Sequence, residues 1–215
     1  MDKSKQYVNI GCGHNAPKEW VNFDFSLSTY FRSLPLIGEL LKFLLKTTFP
    51  KNARCGDIVK GLPLKNDSCD AVFSSHTFEH LALEDFRKAL KNTHKIMKTG
   101  AVFRCVVPDL EVYSRTYLDE LSKGNENAAI EFMKISLLGM EAMPKGLKKR
   151  YFLAYYPGMA RHLWMWDKYS FIAELKNAGF RDIRECSFND SSDEMFKLVE
   201  SAERFNQSVA IECRK

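Results

Sequence analysis

The chain has 215 residues, of which 45% are hydrophobic and 27% charged, as in a soluble globular protein with one sizeable core. A net charge of +5 is too small to indicate nucleic-acid binding, although it leaves room for an anionic partner. The six cysteines include no CxxC pair and no zinc-site spacing, which predicts free thiols and a cytoplasmic setting. We expect no signal peptide, and the longest apolar stretch, 34–45, is too short to span a bilayer.

Strands and helices alternate along the chain. Apolar runs bounded by turn residues predict strands at 7–11, 20–25, 54–59, 69–75, 101–107, 180–188 and 208–213. Helical spacing predicts helices at 34–46, 83–97, 110–121 and 167–178. Asp167 is expected to cap the last of these helices. The alternation is typical of a doubly wound, mostly parallel α/β sheet. We expect one domain over residues 1–215, with a cap insertion at about 125–166.

The first crossover is unusually short. Only seven residues separate Gly13 from Val21, whereas a parallel crossover normally needs a dozen or more. The first helix of the fold is therefore expected to be shortened or absent. The apolar helix at 34–46 carries one narrow polar stripe, so we expect it to pack in the vacant place on the sheet. Peripheral contact with a membrane is the alternative for this helix.

The first two strands end in residues suited to binding a nucleoside. Ligands of such sheets bind outside the carboxyl ends of the strands. Gly11, Cys12 and Gly13 follow the first strand, and two glycines let the backbone approach a ligand closely. Asp24 ends the second strand, where a carboxylate can accept ribose hydroxyls. A plain turn and a solvated aspartate are the alternatives for these two features.

The next two strands end in an acidic residue and in a histidine-rich segment. Asp57, followed by Ile58, can receive an adenine, with a simple turn residue as the alternative. Ser75 precedes His76 and His80, which are four residues apart and fit one face of a short helix. No third metal ligand is obvious in the sequence, so we expect no metal site and a packing role for His80. His76 is the better candidate for chemistry.

The order of these features resembles that of the Rossmann-like class I methyltransferases, which use S-adenosylmethionine. The series begins with Gly-x-Gly and Asp24 and continues with Asp-Ile and Leu-Pro. It then includes CDAVFSSH with Glu-His-Leu and ends with GAVFRCVVPD. It is most similar to a small bacterial group associated with sugar and cell-surface biosynthesis. The similarity is close over residues 7–122 and looser over 160–213. It implies a seven-stranded sheet with an antiparallel last strand, and S-adenosylmethionine as the cofactor.

The resemblance also implies roles for single residues. Those expected at the cofactor are Gly11, Cys12 and Gly13 at the methionine part, Asp24 at the ribose, Asp57 and Ile58 at the adenine, and Ser75 and His76 at the reacting centre. His76 would remove a proton from an acceptor hydroxyl. Asp109, after the fifth strand, and His162 would orient this base or contact the acceptor.

We therefore expect methyl transfer to oxygen of a small-molecule or sugar acceptor. A cofactor-binding protein without catalysis is one alternative. A dehydrogenase is disfavoured, because Asp24 lies too close to the glycines for a dinucleotide fingerprint.

The cap insertion mixes cations with aromatic side chains, which predicts a lid over an anionic acceptor. A solvated basic turn before a packed helix is the alternative. The lid candidates are Lys145, Lys148, Lys149, Arg150, Tyr151, Phe152, Tyr155, Tyr156, Arg161, His162, Trp164 and Trp166.

Overall fold

A computed structural model describes residues 5–25, 50–143, 145–146 and 161–215. The predicted helix at 34–46 and the lid candidates from Lys148 to Tyr156 lie outside these described residues. The described strands form one sheet in the order β3-β2-β1-β4-β5-β7-β6. They are β1 (Tyr7–Ile10), β2 (Val21–Asp24), β3 (Ala53–Cys55), β4 (Cys69–Ser75), β5 (Met97–Pro108), β6 (Arg181–Glu185) and β7 (Ser208–Arg214).

The first five strands are parallel, and β7 runs antiparallel to both β5 and β6. This arrangement confirms the predicted mostly parallel seven-stranded sheet with an antiparallel last strand. The chain leaves β1 on one side toward β2 and β3, and on the other side it builds β4 and β5. Strand order thus reverses between β1 and β4, which is where sheets of this kind bind ligands.

Five helices and two 3-10 helices are described beside the sheet. They are α1 (Leu83–Ile96), α2 (Leu110–Ser122), α3 (Ala128–Ile135), α4 (Lys168–Asn177) and α5 (Ala202–Phe205), with short 3-10 helices at Phe78–His80 and Glu194–Leu198. Asp167 caps α4 as predicted, and its carboxylate accepts the N–H groups of Tyr169 and Ser170. Phe86 and Leu90 of α1 lie in the larger apolar core, beside Phe171 of α4. None of the described helices is long and apolar enough to span a membrane.

The sheet face left open by the short first crossover has an unexpected cover. Residues 11–20 contain turns and no helix, as predicted. Trp20 and Tyr7 on this face pack with Phe196 of the second 3-10 helix. The indole N–H of Trp20 donates to the carbonyl of Met195 at 3.2 Å, and Tyr7 Oη donates to Asp193 at 3.1 Å. At least this part of the face is therefore covered by a segment from near the C-terminus.

The predicted strand limits differ most at the third and fifth strands, and the sixth strand ends at Glu185 rather than at 188. The third strand ends at Cys55, so Asp57 belongs to the following turn. A side chain at Gly56 would overlap Phe23 and Leu62, so the chain turns out of the sheet at a residue without a Cβ. The fifth strand begins at Met97, directly after α1, and not at residue 101. Gly100, with a φ of +80°, absorbs the irregularity within this strand.

Candidate functional site

The loop after β1 is shaped by its two glycines. Gly11 and Gly13 have φ values of +69° and +51°, which side chains rarely adopt. The N–H groups of Gly11 and Cys12 both donate to the carbonyl of Phe23, at 2.8 and 3.0 Å. A Cβ on Gly11 would overlap the side chain of Thr77, whereas one on Gly13 would meet nothing within 4 Å. The loop is thus held tightly at Gly11 and is open at Gly13.

Asp24 at the end of β2 is bound to this loop. Its carboxylate accepts the backbone N–H of Gly13 at 3.0 Å, and its carbonyl accepts the N–H of Gly56 at 3.2 Å. Three strand ends that are distant in sequence are therefore joined at one edge of the sheet. Burial, reinforced by the charge of Asp24, raises the pKa of Cys12 to about 12, so this thiol stays protonated and is not a nucleophile.

Asp57 and Ile58 form part of a rigid turn after β3. The Asp57 carboxylate accepts the N–H of Val59 at 2.9 Å and lies 3.4 Å from the ammonium group of Lys60. The side chain of Ile58 is buried in the larger core. The backbone carbonyl of Ile58 accepts a hydrogen bond from the side chain of Asn92 in α1. The structure therefore brings Asp57 to the predicted edge, while the apolar side chain of Ile58 packs inward.

His76, directly after β4, is held in a strained position. Its φ is +51°, and its N–H donates to the carbonyl of Val106 at 2.9 Å. Nε2 lies 2.9 Å from the carbonyl oxygen of Arg204, and since a carbonyl only accepts, Nε2 carries the proton. The preceding Ser75 has a buried hydroxyl without a hydrogen-bond partner among the described residues. A base role for His76 thus requires its ring to give up the contact with Arg204.

Glu79 is the functional candidate that sequence reasoning missed. It lies on the 3-10 helix Phe78–His80, and its side chain is 0% exposed. Its Oε1 lies 3.4 Å from Nδ1 of His76 and 3.8 Å from Nε2 of His162. Within the described part of the chain, neither carboxylate oxygen has a hydrogen-bond partner. An acid three residues after His76 on a short helix was the available signal, but the Glu-His-Leu motif was used only for the family resemblance.

His162 comes to this acid from the far end of the cap insertion. Its N–H donates to the carbonyl of Leu137 at 3.0 Å, while the next two N–H groups donate to the carbonyl of Glu79 at 2.7 and 3.1 Å. The rings of His162 and His80 have centroids 4.9 Å apart. Burial lowers the pKa of His162, although the charge of Glu79 opposes this. Two predicted catalytic residues, His76 and His162, are thus brought together around Glu79.

The remaining predicted residues have mainly structural surroundings. Asp109 caps α2, where its carboxylate accepts the N–H of Glu111 at 2.8 Å, and desolvation raises its pKa. Trp166 was predicted as part of the lid, but it is 2% exposed and packs on Phe86 with ring centroids 4.3 Å apart. It belongs to the core because the chain returns to the sheet at this residue, which bridges to Asp109. Trp164 remains 42% exposed.

Comparisons with known proteins agree with this arrangement. A family model described as a methyltransferase domain matches residues 8–105, which include β1 to β4, the glycine loop, Asp24 and the Glu79 segment. A search of curated proteins found no significant match. Among solved structures, the CMeT domain of the citrinin polyketide synthase is 12% identical, with a TM-score of 0.50 over 99% of this chain and 46% of that domain.

Two further solved structures are S-adenosylmethionine-dependent methyltransferases. The one from Archaeoglobus fulgidus is 19% identical, with a TM-score of 0.49 over 99% of this chain and 87% of its own. The one from Thermotoga maritima is 17% identical, with a TM-score of 0.49 over 98% of this chain and 82% of its own.

The methyltransferase domain match over residues 8–105 and the strand order support a class I methyltransferase. It is an enzyme whose cofactor is S-adenosylmethionine. The predicted recognition and cofactor are thereby confirmed. Membership of the sugar and cell-surface group stays a prediction.

Proposed function

We propose that the enzyme binds S-adenosylmethionine at the edge formed by the glycine loop, Asp24 and Asp57, and methylates a hydroxyl group of a small-molecule or sugar acceptor. The observation that carries the binding site is the chain of hydrogen bonds from Gly13 through Asp24 to Gly56. These bonds hold the carboxylate of Asp24, which can accept hydrogen bonds, next to an open backbone loop at the point where strand order reverses.

Each part of this edge suits one part of the cofactor. The open space at Gly13 leaves room for the methionine portion close to the backbone. The half-buried carboxylate of Asp24 offers acceptors for the ribose hydroxyls, and Asp57 offers them for the adenine amino group. When bound, the cofactor supplies an electrophilic methyl group, and the protein contributes alignment of the acceptor.

His76 is the proposed proton acceptor for the hydroxyl nucleophile. It follows β4 directly, next to the strand that carries the glycine loop. Its ring must turn from the Arg204 carbonyl to reach an acceptor, so acceptor binding and ring reorientation are coupled in this proposal. On the described part of the cap, Arg161 and exposed Trp164 suit an anionic ring-containing acceptor.

The binding proposal is tested by substitution of Asp24. Asp24→Asn keeps an acceptor for Gly13 but loses the charge, and Asp24→Ala loses both. We expect the affinity for S-adenosylmethionine and its demethylated product to fall about 10- to 100-fold in Asp24→Ala and less in Asp24→Asn. Calorimetric titration measures both affinities, with Asp85→Asn, on the solvent side of α1, as the matched control. A thermal shift with NAD and none with either sulfur nucleoside would refute the assignment.

The chemical proposal is tested by methyl transfer. Radiolabelled S-adenosylmethionine is offered with nucleotide sugars, oligosaccharides, small hydroxylated metabolites and proteins. With an accepted hydroxyl substrate, His76→Gln is expected to lower kcat by a factor of about 10²–10⁴ and to leave cofactor affinity unchanged. Full activity of this variant would place the proton acceptor elsewhere, and cofactor binding without any transfer would favour the non-catalytic alternative.

A further inference from the structure

Three side chains converge beneath the end of β4. They are called the Glu79 cluster here and belong to Glu79, His80 and His162. Each residue has one potential ligand atom that lies within 4.8 Å of the ligand atoms of the other two. The sequence indicated no third ligand because His162 is remote from His80 along the chain. The backbone bonds from Leu163 and Trp164 to the Glu79 carbonyl bring it there.

The buried carboxylate of Glu79 lacks compensation. Both of its oxygens are without a hydrogen-bond partner among the described residues, and so is Nδ1 of His162. An ionised carboxylate removed from water without a partner is costly, so such groups are ordinarily paired or bound to a cation. The groups that approach Glu79 most closely are ring nitrogens of His76 and His162, at 3.4 and 3.8 Å.

The histidine hydrogen bonds favour a cation over further pairing. Nδ1 of His80 lies 3.1 Å from the carbonyl of Arg161, so it carries the proton and Nε2 carries the lone pair. A histidine that donates one N–H to a backbone carbonyl is the usual arrangement of a metal ligand. His76 likewise donates from Nε2, so in its neutral form the lone pair of Nδ1 faces Glu79. The Nδ1 lone pair of His76 thus faces the carboxylate, and the rings of His80 and His162 lie beside it.

We propose that the Glu79 cluster binds a divalent first-row transition-metal ion, with zinc as the reference ion. Two imidazoles and one carboxylate form a donor set that zinc accepts, and three protein ligands leave a fourth position for water or another oxygen. Ligands of a tetrahedral zinc ion lie about 3.4 Å apart. The Glu79–His162 distance of 3.8 Å is close to this value, so modest closure completes the site.

This inference does not depend on the acceptor proposed above, and its test needs no turnover. Protein stripped with a chelator is titrated with Zn²⁺ in a calorimeter and heated with and without the ion. We expect one equivalent to bind and to raise the melting temperature. Glu79→Gln and His80→Gln should each weaken zinc binding at least about 100-fold, because each removes a ligand. Glu84→Gln, an exposed acid on α1, is the matched control and should bind as the unaltered protein does.

Co²⁺ distinguishes this site from the six free thiols of the chain. Ligation by nitrogen and oxygen gives weak visible bands without the strong near-ultraviolet band of a thiolate complex. If Glu79→Gln folds poorly, the zinc affinity of His80→Gln tests the proposal instead, because His80 is only half-buried. Equal zinc affinity in the variants and the unaltered protein, or no stabilisation by Zn²⁺ or Co²⁺, would overturn the proposal.

Discussion

Two buried charged side chains of this enzyme, those of Arg104 and Glu79, have opposite hydrogen-bonding environments. Arg104 in β5 is fully buried and donates to Glu200 at 2.6 Å, Glu212 at 2.7 Å and Asp190 at 2.9 Å. It also donates to the carbonyl of Ser187 at 2.9 Å. Glu79 is equally buried, yet its carboxylate has no hydrogen bond among the described residues.

The difference separates a structural charge from a functional one. The Arg104 network joins β5 to β7 and to the segments on both sides of the second 3-10 helix, so every bond in it connects two parts of the fold. The Glu79 carboxylate lies near His76 and His162 but makes no hydrogen bond among the described residues, and a buried charge without hydrogen bonds lowers stability unless a cation binds it. Residues that lower stability in this way are typical of functional sites.

The largest expected effect is a loss of stability when Arg104 is replaced. Arg104→Met leaves Glu200 and Glu212 without their buried cation and should lower the free energy of unfolding by about 3–5 kcal/mol. Urea denaturation measures the loss. Arg184→Met is the matched control, because Arg184 binds Asp190 and Glu212 from a partly exposed position. A loss below about 1 kcal/mol for Arg104→Met would mean that this network does not stabilise the fold.

A smaller effect should appear in acid. Desolvation raises the pKa of Asp190, but hydrogen bonds from Arg184, Ser187 and Arg104 outweigh it and lower the pKa from 3.8 to about 2. The ion pairs of Asp190 therefore stabilise the protein above about pH 4, and this contribution disappears as the pH falls toward 2. After allowance for solvent screening it is about 1 kcal/mol.

Urea midpoints from pH 5 to about pH 2 test this, because Asp190→Asn should lose the corresponding part of the pH dependence. The neighbouring Glu212, whose pKa is also lowered by the network, remains in the variant and continues to titrate. Asp85→Asn, an exposed substitution, should titrate as the unaltered protein does. Identical pH profiles for Asp190→Asn and the unaltered protein would show that the Arg104 network does not depend on this acid.

The smallest effect should have the opposite sign. In metal-free protein, Glu79→Gln removes a buried charge and should raise the free energy of unfolding by about 1 kcal/mol. The same change at Glu200 breaks a charged hydrogen bond to Arg104 and should lower it by about 1–3 kcal/mol. Urea denaturation of the two variants compares both sites with one substitution. A loss of stability at Glu79 as large as that at Glu200 would remove the distinction between them.

Features encoded locally were predictable from the sequence. The fourth strand matches the prediction at both ends, because a buried apolar run lies between a turn and a polar segment. The start of α4 follows from the capping chemistry of Asp167. The third strand was predicted too long, since only three residues pair and the chain turns at Gly56. Pairing length depends on neighbours that a single strand does not reveal.

The candidate site was predictable only in part. The glycine loop, Asp24 and Asp57 were expected at one edge because parallel strands end there, whereas the order of the strands was seen only in the structure. The contact of His162 with Glu79 depends on backbone hydrogen bonds between distant segments, which no spacing encodes. Trp166 was misplaced for a related reason, since an aromatic residue in a cap has the same sequence signature whether it packs inward or lines a surface.

The bond between the N–H of His162 and the carbonyl of Leu137 has an evolutionary consequence. It holds together two residues, Leu137 and His162, that are distant along the chain. The entropy of closing a loop grows slowly with its length, by about 0.6 kcal/mol per doubling. We therefore expect descendants of this enzyme to tolerate changes in chain length between Leu137 and His162 while the contact of His162 with Glu79 is kept.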